Sequence, residues 1–176
     1  MKVSIIGTGS FGTSLSVVID DNNNDTLMYG RNQEVVDEIN NEHTNSQYLK
    51  EVVLPSNIRA TTSLEDALVH AELIVLAVPV NAMRPVCREI NRLNQTHKKK
   101  LILVHIAKGL ELNTNMFVSD VIVEEIDAAY IDSLAVLSGP SHAEEVALRQ
   151  PSIVVLATKY PTDLRKIQDV FMNRYF

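Results

Sequence analysis

The chain predicts a doubly wound α/β fold with a mostly parallel sheet, and two observations carry that prediction. Short apolar runs alternate along the 176 residues with stretches of helical spacing, the pattern of strands covered by helices on both faces. The opening apolar run also ends directly in Gly7-Thr8-Gly9-Ser10-Phe11-Gly12, a G-x-G-x-x-G turn, and helix-compatible residues Thr13–Ile19 follow it. In strand–turn–helix units of this kind the first glycine allows the tight turn and the second lets the backbone approach a pyrophosphate. The third lets the helix pack closely on the strand, which leaves an anion on the helix N-terminus. The turn is therefore read as a dinucleotide site, with a glycine-rich turn that binds nothing as the competing view.

The strand candidates, in order, are Val3–Ile6, Thr26–Tyr29, a weaker run at Ile58–Ala60, Leu73–Val78, Leu101–Ile106, Leu134–Leu137 and Ile153–Ala157. Several are continuous apolar segments without alternation, as parallel strands buried on both faces should be. Between and after them lie Glu34–Asn40, Leu64–Leu68, Met83–Leu93, Met116–Ile126, Ala143–Leu148 and Leu164–Met172, whose apolar spacing suits helices packed on one side. Asn22-Asn23-Asn24-Asp25 reads as a loop tip. Asn41–Pro55 reads as a long, irregular excursion before the next sheet element.

Composition narrows the function classes. The length allows one compact domain with a real core, here residues 1–176. The longest apolar run, Leu73–Val80, is too short to span a bilayer, and no charged-then-apolar leader opens the chain, so a cytoplasmic protein without a membrane span is expected. The single cysteine, Cys87, has no partner for a disulfide and no ligand-spaced neighbours, which predicts a reduced helix residue and no metal site. A net charge of −6 argues against nucleic acid. Lys98-Lys99-Lys100 reads as a solvated loop that guards an exposed sheet edge. An acidic chain that holds an anionic ligand must do so with backbone N–H groups and a few placed cations, so individual cations carry information.

Arg31 is one of them. The end of the second strand selects between cofactors: a carboxylate there grips a ribose 2′-hydroxyl, whereas an arginine accommodates a 2′-phosphate. The chain offers Tyr29-Gly30-Arg31-Asn32 with no acid, so NADPH, or dual use of NADPH and NADH, is favoured over strict NAD use. A solvated arginine is the alternative. Lys108 is the second cation, placed after the buried strand Leu101–Ile106 and before Gly109, where open α/β sheets bind ligands. Ser141 and Glu144 have the spacing of a capping box, and a capped helix N-terminus there would still present N–H groups to an anion. His142, at the second position of that helix, is read as a packing or solvated histidine rather than a general acid. His43, His70, His97 and His105 show no partner pattern.

Four segments in order carry a resemblance: Gly7-Thr8-Gly9-Ser10-Phe11-Gly12-Thr13, Leu76-Ala77-Val78-Pro79, Ala107-Lys108-Gly109-Leu110-Glu111, and Leu137-Ser138-Gly139-Pro140-Ser141-His142-Ala143-Glu144-Glu145-Val146. Together, with Ile58-Arg59-Ala60-Thr61-Thr62, they closely resemble the bacterial NAD(P)-dependent glycerol-3-phosphate dehydrogenases over the whole chain. Phe11 stands where that family commonly has tryptophan. The resemblance implies a Rossmann-type fold and reversible hydride transfer between NADPH or NADH and carbon 2 of dihydroxyacetone phosphate, giving sn-glycerol 3-phosphate for glycerophospholipid synthesis. It implies cofactor contacts at Gly7, Gly9, Ser10, Phe11, Gly12, Arg31, Tyr48, Lys108 and Ala143, and substrate contacts at Lys108, Gly139 and Ser141. It also implies a further helical domain supplying the catalytic lysine, so the chain is expected to be the cofactor-binding portion of a longer two-domain enzyme, inactive alone, with a homodimer expected of the full-length form. Two other readings stand beside it: a stand-alone nucleotide-binding or redox-sensing module without turnover, and a two-domain dehydrogenase of hydroxy acids or acyl thioesters.

Overall fold

The computed structural model describes residues 1–50, 52–159 and 163–176. One seven-stranded sheet organises them. Its strands are β1 (Lys2–Ile6), β2 (Asp25–Tyr29), β3 (Arg59–Thr61), β4 (Leu73–Leu76), β5 (Leu101–His105), β6 (Ile131–Ser138) and β7 (Val155–Thr158), in the spatial order β3-β2-β1-β4-β5-β6-β7. The first six run parallel, and β7 pairs antiparallel with β6 at the edge. The chain builds outward from β1 to β2 and β3, then crosses to β4 on the other side of β1. The strand order therefore reverses between β1 and β4, directly above the glycine turn.

The helices are α1 (Ser10–Asp21), α2 (Gln33–Asn41), α3 (Leu64–His70), α4 (Val80–His97), α5 (Val118–Glu125), α6 (Ala143–Ala147) and α7 (Leu164–Phe171). Alternation within the strands feeds two cores. Ile102 and Val104 of β5 join Leu15, Val146 and Phe171 on the α1, α2, α6 and α7 side, whereas Leu101 and Leu103 join Met83, Cys87 and Val121 on the α3, α4 and α5 side. Burying both faces explains why the strands read as unbroken apolar runs.

Several boundaries and roles differ from the sequence reading, each for a local reason. The first helix begins at Ser10, inside the motif, and α4 runs from Val80 through Pro85 to His97 rather than over Met83–Leu93. The β4 ladder ends at Leu76, and Val78 and Pro79 form the turn into α4, where proline's lost N–H costs nothing. Met116 and Phe117 precede α5, because Leu110 and Phe117 pair in an isolated bridge. The Ser141 capping box does not form: α6 starts at Ala143, its N-cap is His142, and no side chain caps it. The lysine run does not guard an edge. It enters the interior strand β5, and Lys99 Nζ donates to the carbonyls of Leu68, Val69 and Ala71 at 2.5–2.8 Å, closing the C-terminal end of α3. Cys87 is buried on α4, which pushes its thiol up to about 12. Among the described residues no helix is long and apolar enough to cross a membrane.

Candidate functional site

The glycine turn closes over the end of β1. Gly7 has φ +124°, and a Cβ there would meet the Ala77 carbonyl oxygen at 2.5 Å, so neither the backbone nor the space admits a side chain. Gly9 is the opposite case: it has ordinary φ −70°, and nothing in the protein lies within 4 Å of where its Cβ would stand. The missing side chain therefore leaves open space in front of backbone. A Cβ on Gly12 would meet the Gly7 carbonyl at 2.4 Å, so the third glycine lets α1 rest on the turn itself.

Gly9 is also the N-cap of α1, which has no side-chain cap and no acidic residue in its first turn. The first N–H groups of the helix, at Ser10, Phe11 and Gly12, therefore face the open space without an intrahelical partner. α4 also starts here, behind Pro79, again without side-chain cap or first-turn acid. Two helix N-termini thus bring partial positive charge to the walls of one cleft. This donor set fits a pyrophosphate, the group the motif predicts.

Clefts open on both sides of the turn, sharing Gly9, Ala77, Val78 and Pro79 as their common wall. The first, about 610 Å³, runs along the ends of β4, β5 and β6 and brings together Ser10, Phe11 and Gly12 with Lys108, Gly139 and Ser141. Its walls are largely apolar, with Val78, Ile106, Leu137 and Val154 beside Phe11. Lys108 Nζ donates to the Gly139 carbonyl at 2.9 Å, bridging the mouth between β5 and β6. The second cleft, about 480 Å³, contains Gly7, Arg31 and Tyr48, with Asn32, Val35 and Glu89. Glu89 is paired with Arg92 at 2.7–2.8 Å, whereas among the described residues no carboxylate lies within ion-pair distance of Arg31. Ala143 lines neither cleft; its carbonyl lies 2.7 Å from Ser14 Oγ, which bridges α1 and α6. His142 is exposed beside them.

Three supporting residues escaped the sequence reading. Asn45, fully buried in the excursion after α2, donates from Nδ2 to the Thr8 carbonyl at 2.9 Å and to Thr13 Oγ1 at 2.8 Å. Its backbone carbonyl accepts from the Tyr48 and Leu49 N–H groups, so one residue ties the glycine turn to the loop that presents Tyr48. Glu51 of that excursion lies outside the described residues. Arg84 on α4 and Glu111 after β5 form a two-pronged ion pair behind the Lys108 loop. Only the Ala-Lys-Gly-Leu-Glu motif hinted at Glu111, and nothing in the local sequence marked Asn45 or Arg84.

Comparison with known proteins agrees with this geometry. The family model described as NAD-dependent glycerol-3-phosphate dehydrogenase N-terminus matches residues 2–163. The glycerol-3-phosphate dehydrogenase [NAD(P)+] of Listeria monocytogenes serotype 4a is 49% identical over 172 residues, covering 98% of this chain and 50% of the relative. That of Macrococcus caseolyticus is 43% identical over 176 residues, covering 100% and 52%. The crystal structure of glycerol-3-phosphate dehydrogenase from Coxiella burnetii superposes with a TM-score of 0.86 at 26% identity, covering 99% of this chain and 51% of that one. The chain spans about half the length of the relatives it matches. With its glycine turn, its cleft at the strand-order reversal and this match over nearly all of its length, the chain belongs to the NAD-dependent glycerol-3-phosphate dehydrogenase family, corresponding to its N-terminal part.

Proposed function

We propose that residues 1–176 are the dinucleotide-binding domain of a longer enzyme that interconverts dihydroxyacetone phosphate and sn-glycerol 3-phosphate with NADPH or NADH. The observation that carries this reading is the open space at Gly9 before the uncapped α1 N-terminus, at the reversal between β1 and β4. In this reading the N–H groups of Ser10, Phe11 and Gly12 hold the pyrophosphate, and Gly7 and Gly9 give it room. Arg31 and Tyr48 hold the adenosine end, where an unpaired guanidinium suits a 2′-phosphate. The paired state of Glu89 limits repulsion at that wall.

Lys108, Gly139 and Ser141 hold the three-carbon phosphate in the first cleft, with the backbone at Ala143 on the cofactor side. When bound there, the cofactor supplies a hydride to carbon 2 of the substrate. The Lys108 ammonium steadies the substrate oxygen or phosphate and the nicotinamide end together, favouring the negative charge that grows on the oxygen. Phe11, Val78, Ile106 and Val154 keep water from that position. The proton donor is assigned to residues outside this chain. The buried thiol of Cys87 and the net charge of −6 support a reducing cytoplasmic setting without nucleic acid, and a homodimer is the proposed state of the full-length enzyme.

Calorimetric titration of the folded chain with NADPH and with NADH tests the reading. Saturable binding is expected, and Arg31→Glu should weaken NADPH about tenfold more than NADH, one lost charge-assisted contact. No binding of either cofactor by a chain folded by circular dichroism would overturn it. Equal loss of both would remove Arg31 from the 2′-phosphate.

A further inference from the structure

The segment from Ile106 to Phe117 joins β5 to α5 and carries Lys108; Ile106, Ala107 and Met116 pack on the cores at its two ends, while its middle has little apolar burial to hold it. Its outer side shows Leu110, Leu112 and Phe117 to solvent, with Leu112 78% exposed. The loop closes on itself instead: Leu110 bridges Phe117, the Glu111 N–H donates to the Met116 carbonyl at 2.9 Å, and the Asn115 N–H donates to the Glu111 carbonyl at 3.0 Å. These bonds tie the loop into one unit. Where it stands depends on what grips it from outside.

That grip is Glu111. Its side chain is only 12% exposed, and both its oxygens are taken by Arg84 on α4, Nε to Oε1 at 2.8 Å and Nη2 to Oε2 at 2.7 Å. Thr114 Oγ1 adds a donor from within the loop at 2.7 Å. The remaining face of the Arg84 guanidinium meets Glu124 at 2.8 Å and Glu125, while Arg88 forks onto Glu125 at 2.7 and 2.9 Å. One guanidinium thus joins α4, α5 and the loop. α4 begins at the shared wall of the two clefts, so the frame that holds the loop also frames the site.

Gly109 stands between the gripped part and Lys108. It has φ +104°, which glycine adopts without strain, and nothing lies within 4 Å of where its Cβ would stand. Lys108 is thus fixed from two sides: the Ile106 N–H on the β5 side donates to the Leu76 carbonyl at 3.3 Å, and the chain beyond Gly109 is fixed through Glu111. A planar two-pronged pair fixes orientation as well as distance, which a single point charge does not.

We propose that Arg84 is a positioning residue for Lys108: by gripping Glu111 it sets the loop, and so holds Lys108 Nζ at the Gly139 carbonyl across the mouth of the cleft. This rests on the reading of Lys108 as a cofactor and substrate contact. Its test separates the two.

Arg84→Ala would leave three carboxylates facing one another, so the informative variants are Arg84→Lys, which keeps the charge and loses the fork, and Glu111→Gln, which loses the charge. In each, acylation of Lys108 by an N-hydroxysuccinimide ester is followed by peptide mass spectrometry, with exposed Lys100 in the same sample as reference. The Lys108/Lys100 rate ratio should rise about three- to tenfold, the worth of one lost hydrogen bond. An unchanged ratio in both folded variants overturns the proposal. NADPH affinity is then measured in a double-mutant cycle of Arg84→Lys with Lys108→Ala. Weakening by Arg84→Lys that vanishes in the Lys108→Ala background supports action through Lys108, whereas equal weakening in both backgrounds marks a purely structural role and overturns it. A ratio that rises while Lys108→Ala binds NADPH as tightly as the parent leaves the positioning intact and sinks the reading of Lys108 as a cofactor contact.

Discussion

Gly7 and Gly9 stand two positions apart in one turn, but the missing side chain serves different ends at each. At Gly7 it relieves the fold: alanine would need φ +124° and would press its Cβ to 2.5 Å from the Ala77 carbonyl. At Gly9 φ is ordinary and the space in front is open, so in the proposed reading the missing side chain leaves room for the pyrophosphate. Gly7→Ala should therefore destabilise the chain by about 2 kcal/mol or more, whereas Gly9→Ala should leave stability within about 0.5 kcal/mol while weakening NADPH about tenfold or more. Urea unfolding and calorimetry on the two variants check this, and equal loss of stability in both would refute the division. The sequence showed the motif but not the division, since both residues are simply glycines in it. It also showed Lys108 and Arg31, because each cation sits beside a strand end that the apolar pattern marks. Asn45 was invisible: it lies among polar residues without periodicity, and its role exists only once folding brings Thr8, 37 residues away, onto its amide.

At the scale of elements, apolar runs and helical spacing marked each of the seven strands and seven α-helices among the described residues, but not the 3₁₀ turn Ala128–Tyr130, which buries no residue and so leaves no apolar signal. Boundaries were less legible, because they depend on partners. β6 extends to Ile131–Ser138 because both β5 and β7 pair with it, and the capping box at Ser141 gives way because the chain turns into α6 one residue later. Lys99 is the sharpest case. A lysine in a run of three reads as solvated, yet three carbonyls at the C-terminal end of α3 converge on its ammonium. Lys99→Met should cost about 1–2 kcal/mol, the loss of charge-assisted bonds at a helix C-terminus, with Lys100→Met within about 0.5 kcal/mol of the parent. Thermal melts of the two variants decide it, and equal effects would return Lys99 to the solvated surface.

At the scale of the whole molecule, His105 and Glu111 should couple stability to pH in two stages. His105 closes β5 inside the core, and burial holds its ring below the usual value near 6.5. As pH falls through 6.5 the unfolded chain takes up its proton before the folded chain does, so stability declines in that range. Glu111 behaves differently: the Arg84 guanidinium holds its carboxyl down to about 2, and its contribution is complete above the usual value near 4.5 and is lost as pH falls from there towards 2. Glu125, held down chiefly by Arg88, loses its contribution in the same direction. Urea midpoints measured from pH 8 to 2 should therefore show a first decline beginning near 6.5 and a second below 4.5. His105→Gln should flatten the first without touching the second, and Glu111→Gln should shrink the second alone. A first decline that persists undiminished in His105→Gln would mean that another group refuses the proton. A second decline undiminished in Glu111→Gln would mean that the Arg84 cluster does not set the acid limit of the fold.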